Sequence, residues 1–173
     1  MGFDTDLLLL FAGTLNAANV YVPQLVTALG ATAGANVIDA GPLAANQSVD
    51  YGAGENLDVT FNIMQTLTSG GAATVQFQLV QADDNALTVN VQVLNQTDAV
   101  PFATLVAGVK VPLHWDRAAP YVPPKRFLGV RTVIGTAVLT NATGWLIAGA
   151  GKNFADMGIG GRGPVYKSGF SIA

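Results

Sequence analysis

The chain has 173 residues, no cysteine and a formal net charge of -3 at pH 7. This length suits one domain with or without arms. The absence of cysteine excludes a disulfide framework and thiolate metal sites. The negative net charge argues against a nucleic-acid partner. Charged residues make up only 11% of the chain, against about 25% in an average globular protein, so we expect a neutral surface largely covered by partners; a neutral surface that is simply soluble is the alternative.

Residues 1–35 are predicted to form an N-terminal arm. They are rich in Ala, Gly, Asn and Thr and carry too little bulk to fold alone, so we expect them to lie on another surface or to be mobile. The apolar run Leu7–Ala12 is far shorter than the roughly 18 residues of a membrane span. It follows Asp4 and Asp6, where a signal peptide carries positive charge. We therefore expect neither export nor a membrane partner.

Strand signals dominate the middle of the chain. From Leu57 to Ile63 apolar residues alternate with polar ones, which is the pattern of a strand with one buried face. The residues at 83–85 are two Asp and one Asn, and they predict a turn. Pro112 has no N–H to donate to a ladder, so its strand is expected at a sheet edge. The predicted strands are 37–39, 57–67, 73–82, 87–94, 108–115, 126–136 and 144–150.

Short strands separated by turn residues, without a convincing long helix, predict an all-β protein. The expected architecture is a jelly-roll β-sandwich of about eight strands over residues 36–151, with an immunoglobulin-like sandwich of fewer strands as the alternative. The Gly-rich residues 152–173 are predicted to form a C-terminal tail, whose aromatic tip docks on the body or on a neighbour.

Candidate catalytic groups are scarce. His114 is the one histidine, whereas a cupin-type metal site needs several. A Ser-His-Asp triad would need His114 as its base, and no Gly-x-Ser-x-Gly elbow accompanies it, so a structural histidine is expected. Glu55 and Asp58 are poorly placed as a carboxylate pair, because on a strand their spacing puts them on opposite faces. We therefore expect no enzyme activity, no metal and no cofactor.

A set of short motifs extends from residue 38 to residue 170. In chain order these are Ile38-Asp39-x-Gly41, Asp50-x-Gly52-x-Gly54-Glu55-x-Leu57, Val100-Pro101, Gly108-x-x-Val111-x-Leu113, Arg126-Phe127-Leu128-Gly129-Val130, Gly135-Thr136 and Tyr166-x-Ser168-Gly169-Phe170.

In their order and spacing these motifs resemble the small jelly-roll capsid cement (decoration) proteins of tailed bacteriophages. The resemblance implies a non-enzymatic virion protein, made in the host cytoplasm, that binds the outer surface of a phage head. It implies a homo-oligomer, either a dimer or a trimer, that bridges copies of the major capsid protein. Around residues 15–35 and 158–164 the chain is longer than the family pattern, so contacts made there would be peculiar to this protein.

The residues expected to contact the capsid or a neighbouring subunit lie in the two terminal segments and in the Pro-rich loop near residue 120. The alternative function is a glycan- or receptor-binding module on the same fold, in which the aromatic side chains of that loop stack on sugar rings. The predicted contact residues are Phe3, Leu8, Phe11, Tyr21, Trp115, Arg117, Tyr121, Tyr166 and Phe170.

Overall fold

In the residues that the computed structural model describes, nearly all regular secondary structure is β-strand. Within the residues that it describes, no helix is both long and apolar enough to cross a membrane. Of residues 14, 15, 21, 57, 58 and 146–151 it describes the backbone only. The described residues are 12–15, 17–18, 21–39, 57–115, 125–141 and 146–151.

The elements within these ranges are strands and one 3₁₀ turn at Phe102–Thr104. The strands are β1 (Gly13–Leu15), β2 (Tyr21–Pro23), β3 (Gly30–Ala33), β4 (Ile38–Asp39), β5 (Leu57–Ile63), β6 (Thr74–Ala82), β7 (Gln92–Gln96), β8 (Val100–Pro101), β9 (Lys110–Trp115), β10 (Phe127–Gly135) and β11 (Leu146–Gly151).

Antiparallel pairing joins these strands into sheets. The larger sheet has the order β3-β10-β6-β7, with β4 also paired to β10 and β8 to β6. The smaller sheet has the order β11-β5-β9, and β1 pairs with β2. The predicted all-β sandwich class is therefore confirmed, whereas the finer jelly-roll topology stays a prediction.

The main core lies between the larger and the smaller sheet. The ring centroids of Phe61 on β5 and Phe77 on β6 are 4.8 Å apart at an interplanar angle of 47°, a tilted contact that adds to the gain from burying both rings. On β10 every second residue from Leu128 to Ile134 is buried, which confirms the predicted alternation. Burial of each of the apolar side chains among them, Leu128, Val130 and Ile134, stabilises the fold by about 1.5–3 kcal/mol.

The strand predicted over 87–94 is wrong in its first half. Strand β7 begins only at Gln92, and the chain before it is a loop. Leu87 and Asn90 have positive φ values of 55° and 49°, in the left-handed region that strands do not use. The alternation that predicts the strand is misleading here, because Val89 is 50% exposed.

Asp84 organises this loop. Its Oδ1 atom accepts hydrogen bonds from the backbone N–H groups of Thr88 and Val89, both at 2.8 Å, and its Oδ2 accepts one from Thr88 Oγ1 at 2.7 Å. The loop is thereby folded down so that Leu87 contacts Gly129 on the outer face of β10. The turn predicted over 83–85 is thus the start of a longer loop, fixed by the local capping that Asp favours.

Residues 12–35, which the sequence assigns to an arm, lie against the chain's own sandwich where the structure describes them. Residues 30–33 form β3 and pair with β10, and Ala12 and Val26 are buried in the main core. Strand β3 consists of Gly, Ala and Thr, so the ladder of backbone hydrogen bonds contributes more to its position than side-chain bulk does.

The outer edge of β3 is capped at its C-terminal end by a side chain. Gln24 Nε2 donates to Ala33 O at 2.9 Å, and the Ala35 N–H donates to Gln24 Oε1 at 2.7 Å. One side-chain amide therefore makes the two bonds that a residue of a neighbouring parallel strand would make. Occupying these groups protects the edge from pairing with another chain.

Strand β9 is an edge strand of the smaller sheet, as Pro112 predicts. It pairs with β5, where Pro112 lies opposite Thr60, and no other described strand continues the ladder. Its free side approaches β7, where Asn95 Nδ2 donates a hydrogen bond to His114 O. This contact joins the edges of the two sheets along one side of the sandwich.

Candidate interaction surface

At one end of the sandwich the described loops carry no charged residue, and exposed Lys110 begins β9 directly after one of them. Strand β10 ends there and strands β3 and β6 begin there, since Gly135 pairs with Thr74 and Ile134 with Gly30. None of the described loops that meet at this end contains Asp, Glu, Lys, Arg or His. We call it the neutral end, and its loops are residues 25–29, 64–73, 102–109 and 136–141.

Asn141 is the polar centre of the neutral end. Its side chain is buried; its Oδ1 accepts from the Thr68 N–H at 2.9 Å, and its Nδ2 donates to Thr66 O at 2.8 Å. Thr66 in turn accepts, at its Oγ1, a bond from the Ala107 N–H at 3.1 Å. A single amide thus links two loops and is satisfied on both sides, as a buried amide requires.

Backbone hydrogen bonds connect the remaining loops. The Leu139 N–H donates to Thr27 O at 3.1 Å, which joins the loops at 136–141 and 25–29. The Leu67 N–H donates to Leu105 O at 3.0 Å, which joins the loops at 64–73 and 102–109. Hydrogen bonds therefore connect the four loops of the neutral end into one unit.

Apolar side chains project from this unit. Large apolar side chains on a protein surface are ordinary when they are scattered, and informative when they are gathered in one place. Most of the exposed large apolar residues that the structure describes belong to the neutral end. With their exposed fractions, they are Leu25 (45%), Leu29 (55%), Met64 (50%), Val106 (44%) and Val138 (49%).

The turn that leads to Val138 is strained. Thr136 has a φ of 68°, and the Ala137 N–H donates to Gly135 O at 2.8 Å. This is a three-residue turn with a positive φ at its centre, a rare and strained form, and a β-branched residue there is an outlier. Backbone strain of this kind is worth about 1–3 kcal/mol and occurs most often at functional sites.

The opposite end of the sandwich carries paired charges. Arg126 makes two hydrogen bonds to the carboxylate of Asp39, both at 2.8 Å, and these bonds raise the pKa of Arg126. Lys125 Nζ lies 3.1 Å from Asp83 Oδ1 and donates to Asn90 O at 2.6 Å. We call this the charged end, and the charged residues considered on it are the described ones, Asp39, Asp83, Asp84, Lys125 and Arg126.

Hydrogen bonds lower the pKa values of two neighbouring carboxylates at the charged end. Bonds from the Val89 N–H and from Thr88 lower the pKa of Asp84. Bonds from Asn90 and then from Lys125 lower the pKa of Asp83. Asp84 is engaged by residues of its own loop, and Asp83 by its own loop and by Lys125. In the part of the chain that the structure covers, no three His, Cys, Asp or Glu residues are grouped to hold a metal.

The outer face of the larger sheet carries amides, as the alternating pattern predicts. Gln78 Nε2 donates to Gln96 Oε1 at 2.9 Å, and Arg131 Nε donates to Gln78 Oε1 at 2.9 Å. Gln76 Nε2 donates to Thr97 O at 2.9 Å. These polar groups bond to one another, which makes this face a weaker candidate for ligand recognition than the neutral end.

Among the predicted contact residues, Trp115 is the one whose side chain is described. It ends β9 and is half-buried against the main core, so core packing is one role that it fills. Tyr21 lies in β2, described by its backbone only. The contact role of these residues stays a prediction. The others, Phe3, Leu8, Phe11, Arg117, Tyr121, Tyr166 and Phe170, lie outside the described residues.

His114 lies on strand β9, which confirms its predicted strand position. It is exposed, and its register partner across the ladder to β5 is Asp58. Its backbone carbonyl accepts the hydrogen bond from Asn95. Glu55, the other group considered for catalysis, lies outside the described residues.

No residue of the neutral end is among the predicted contact residues. The signal available in the sequence is the absence of charged residues from the four loops. The loops are far apart along the chain, however, so only the antiparallel topology shows that they meet at one end.

The fold and this surface define the class: an all-β sandwich of antiparallel sheets whose described loops at one end are uncharged and present apolar side chains. The family model of Bbp16 matches residues 22–149 of the 173, and the chain belongs to the Bbp16 family. The matched region contains all four loops of the neutral end. No curated protein matches the chain.

Proposed function

We propose that this chain is a structural virion protein, a capsid cement (decoration) protein with a jelly-roll fold. It binds the outer surface of a phage head and stabilises the head by bridging major capsid proteins. The observation that carries the proposal is the neutral end, where joined loops present exposed apolar side chains and no charge. The motif order that resembles the cement proteins supports the same role.

Burial of the apolar side chains supplies the physical basis for binding. Side chains that are each about half exposed offer on the order of a few hundred Å² of apolar surface, and burial is worth about 25 cal/mol per Å². Part of this gain is offset by the loss of translational and rotational freedom on association. Each copy therefore binds with modest affinity, and the many copies on a symmetric shell act together.

The proposal is non-enzymatic and needs no cofactor or metal. The partners are the major capsid protein and further copies of the chain, as a dimer or a trimer, with no nucleic acid and no membrane involved. The chain is made in the host cytoplasm and acts on the outside of the virion. Its two sheets, packed through Phe61 and Phe77, form a stiff body that is suited to resist the outward pressure of packaged DNA.

Glycan or receptor binding is the alternative function, and it depends on the aromatic residues near residue 120. Trp115 is the described aromatic residue closest to that loop, and it packs against the main core. No contact in the described part of the chain favours this alternative over the cement role.

Co-sedimentation tests the proposal. Purified full-length protein is mixed with empty heads of its phage that have been stripped of it, and heads that retain their own copies serve as the control. Saturable binding to the stripped heads alone is expected, at a ratio set by icosahedral symmetry, together with greater resistance of the heads to heat. Absence of binding by a folded, monomeric protein would overturn the proposal, and a glycan array would then test the alternative.

A further inference from the structure

We propose that the neutral end is the docking surface for the capsid and that it fits an uncharged, apolar patch of the major capsid protein, with the charged end facing away from the shell. This inference rests on the proposed function and adds the orientation of the molecule. It concerns residues that the sequence patterns leave unassigned.

The distribution of charge selects this end. The charged end carries two described ion pairs, Arg126 with Asp39 and Lys125 with Asp83, and desolvating such groups against a partner is expensive. The neutral end presents no ionised group in its four loops, and Asn141 is satisfied within the unit. Contact there removes mainly apolar surface from water, which is the favourable term in association.

The same absence of charge defines the partner. A charged partner group would lose its hydration against the four loops and find no opposite charge in them to pair with. The complementary surface is therefore uncharged and apolar. Binding through such a contact is expected to change by less than about twofold between about 0.05 and 0.5 M salt, because screening acts on charged pairs.

The size of the patch favours a capsid partner over a second copy of the chain. Side chains such as Leu29 and Val138, at 55% and 49% exposure, together offer on the order of a few hundred Å². A stable two-protein interface buries about 800 Å² on each partner. The patch is thus small for a stable dimer on its own, but it suffices where many copies are held on one lattice.

Matched charge substitutions test the docking surface. A negative charge is placed at the neutral end by each of three variants, Leu29→Asp, Met64→Asp and Val138→Asp. The control is Val89→Asp, which places the charge at the charged end. The Val89 side chain is 50% exposed, close to the 49% of Val138. Each neutral-end variant should bind stripped heads at least about tenfold more weakly, because it buries an unpaired charge. Val89→Asp should bind within about twofold of the unchanged protein.

A labelling experiment covers the case in which a charged variant fails to fold. Because the chain has no cysteine, Val138→Cys and Val89→Cys each introduce a unique thiol with little change in volume. Maleimide labelling of Cys at 138 should slow about tenfold or more on stripped heads, since a packed interface excludes solvent and reagent. Labelling at 89 should keep its rate.

The outcomes separate this inference from the proposed function. If the unchanged protein does not bind heads, both fail. If it binds and the neutral-end variants bind equally well, with unchanged labelling at 138, the cement role stands and the docking surface is wrong. If labelling at 138 is already slow in the free protein and Val138→Asp converts an oligomer into monomers, the occupant is a second copy, and the capsid assignment of this end is overturned.

Discussion

Leu87 packs directly over Gly129. A Cβ atom placed on Gly129 would lie 2.6 Å from Leu87 Cδ1 and 3.1 Å from Val37 Cγ1. Leu87 is 2% exposed, so its side chain has little room to move aside. The missing side chain of β10 is therefore what allows the loop between β6 and β7 to lie flat on the outer face of the larger sheet.

Gly129→Ala is expected to lower the free energy of unfolding by about 1–3 kcal/mol, because overpacking forces either Leu87 or the strand to shift. Urea unfolding measures the change. Gly70→Ala is the matched control, since an added Cβ there meets nothing within 4 Å, and it should change stability by less than about 1 kcal/mol. Equal effects of the two substitutions would contradict the contact with Leu87.

The stability of the charged end should depend on pH. Hydrogen bonds, led by the one from the Val89 N–H, hold the pKa of Asp84 below its ordinary value of 3.8. A carboxylate with a lowered folded pKa contributes stability that is fully present above its unfolded pKa and is lost as the pH falls through the folded one. The stability difference between the unchanged protein and Asp84→Ala should therefore be largest near neutral pH and should shrink below about pH 4.

Urea unfolding at neutral and acidic pH measures this difference. Asp98→Ala removes another exposed Asp side chain outside the loop and controls for the loss of one negative charge. A difference for Asp84→Ala that grows on acidification would have the wrong sign and would contradict the assigned hydrogen bonds.

Strands with large side chains could be predicted from the sequence, because alternation is a local property. The buried face of β10, from Leu128 to Ile134, follows from spacing alone. The strand predicted at 87–94 fails because its Val residues imitate the same pattern. The actual loop depends on Gly129, which is distant in sequence and invisible to any local pattern.

Two further features depend on pairing between distant segments. Strand β3 has no bulky residue, and it forms a strand because its backbone pairs with that of β10. The same holds for the neutral end. The absence of charged residues from each loop can be seen in the sequence, but the hydrogen bond between Leu139 and Thr27 forms only once the sheets are in place. A sequence pattern therefore indicates the sandwich and not the surface on which its proposed function depends.

Removing the amide of Gln24 should open the edge of β3. Gln24→Ala leaves Ala33 O and the Ala35 N–H without the bonds that close this edge. The expected loss is about 1–3 kcal/mol in the free energy of unfolding, together with concentration-dependent self-association as the edge pairs with other copies. Gln24→Leu keeps the volume without the amide and should behave in the same way. Light scattering and urea unfolding measure both effects, and a stable, monomeric Gln24→Leu variant would contradict the role given to the amide.

Thr136→Gly is expected to stabilise the protein while leaving the neutral end in place. The φ of 68° at Thr136 strains a β-branched residue by about 1–3 kcal/mol, whereas glycine adopts it freely. Glycine also loses more backbone entropy on folding, by about 0.5–1 kcal/mol, so a net gain of up to about 2 kcal/mol is expected. Ala107→Gly, in another loop of the neutral end, loses the same backbone entropy on folding but relieves no backbone strain. It should therefore destabilise the protein. Thermal unfolding of both variants decides the matter, because a Thr136→Gly variant that melts as low as Ala107→Gly would show that the turn at Thr136 stores no strain.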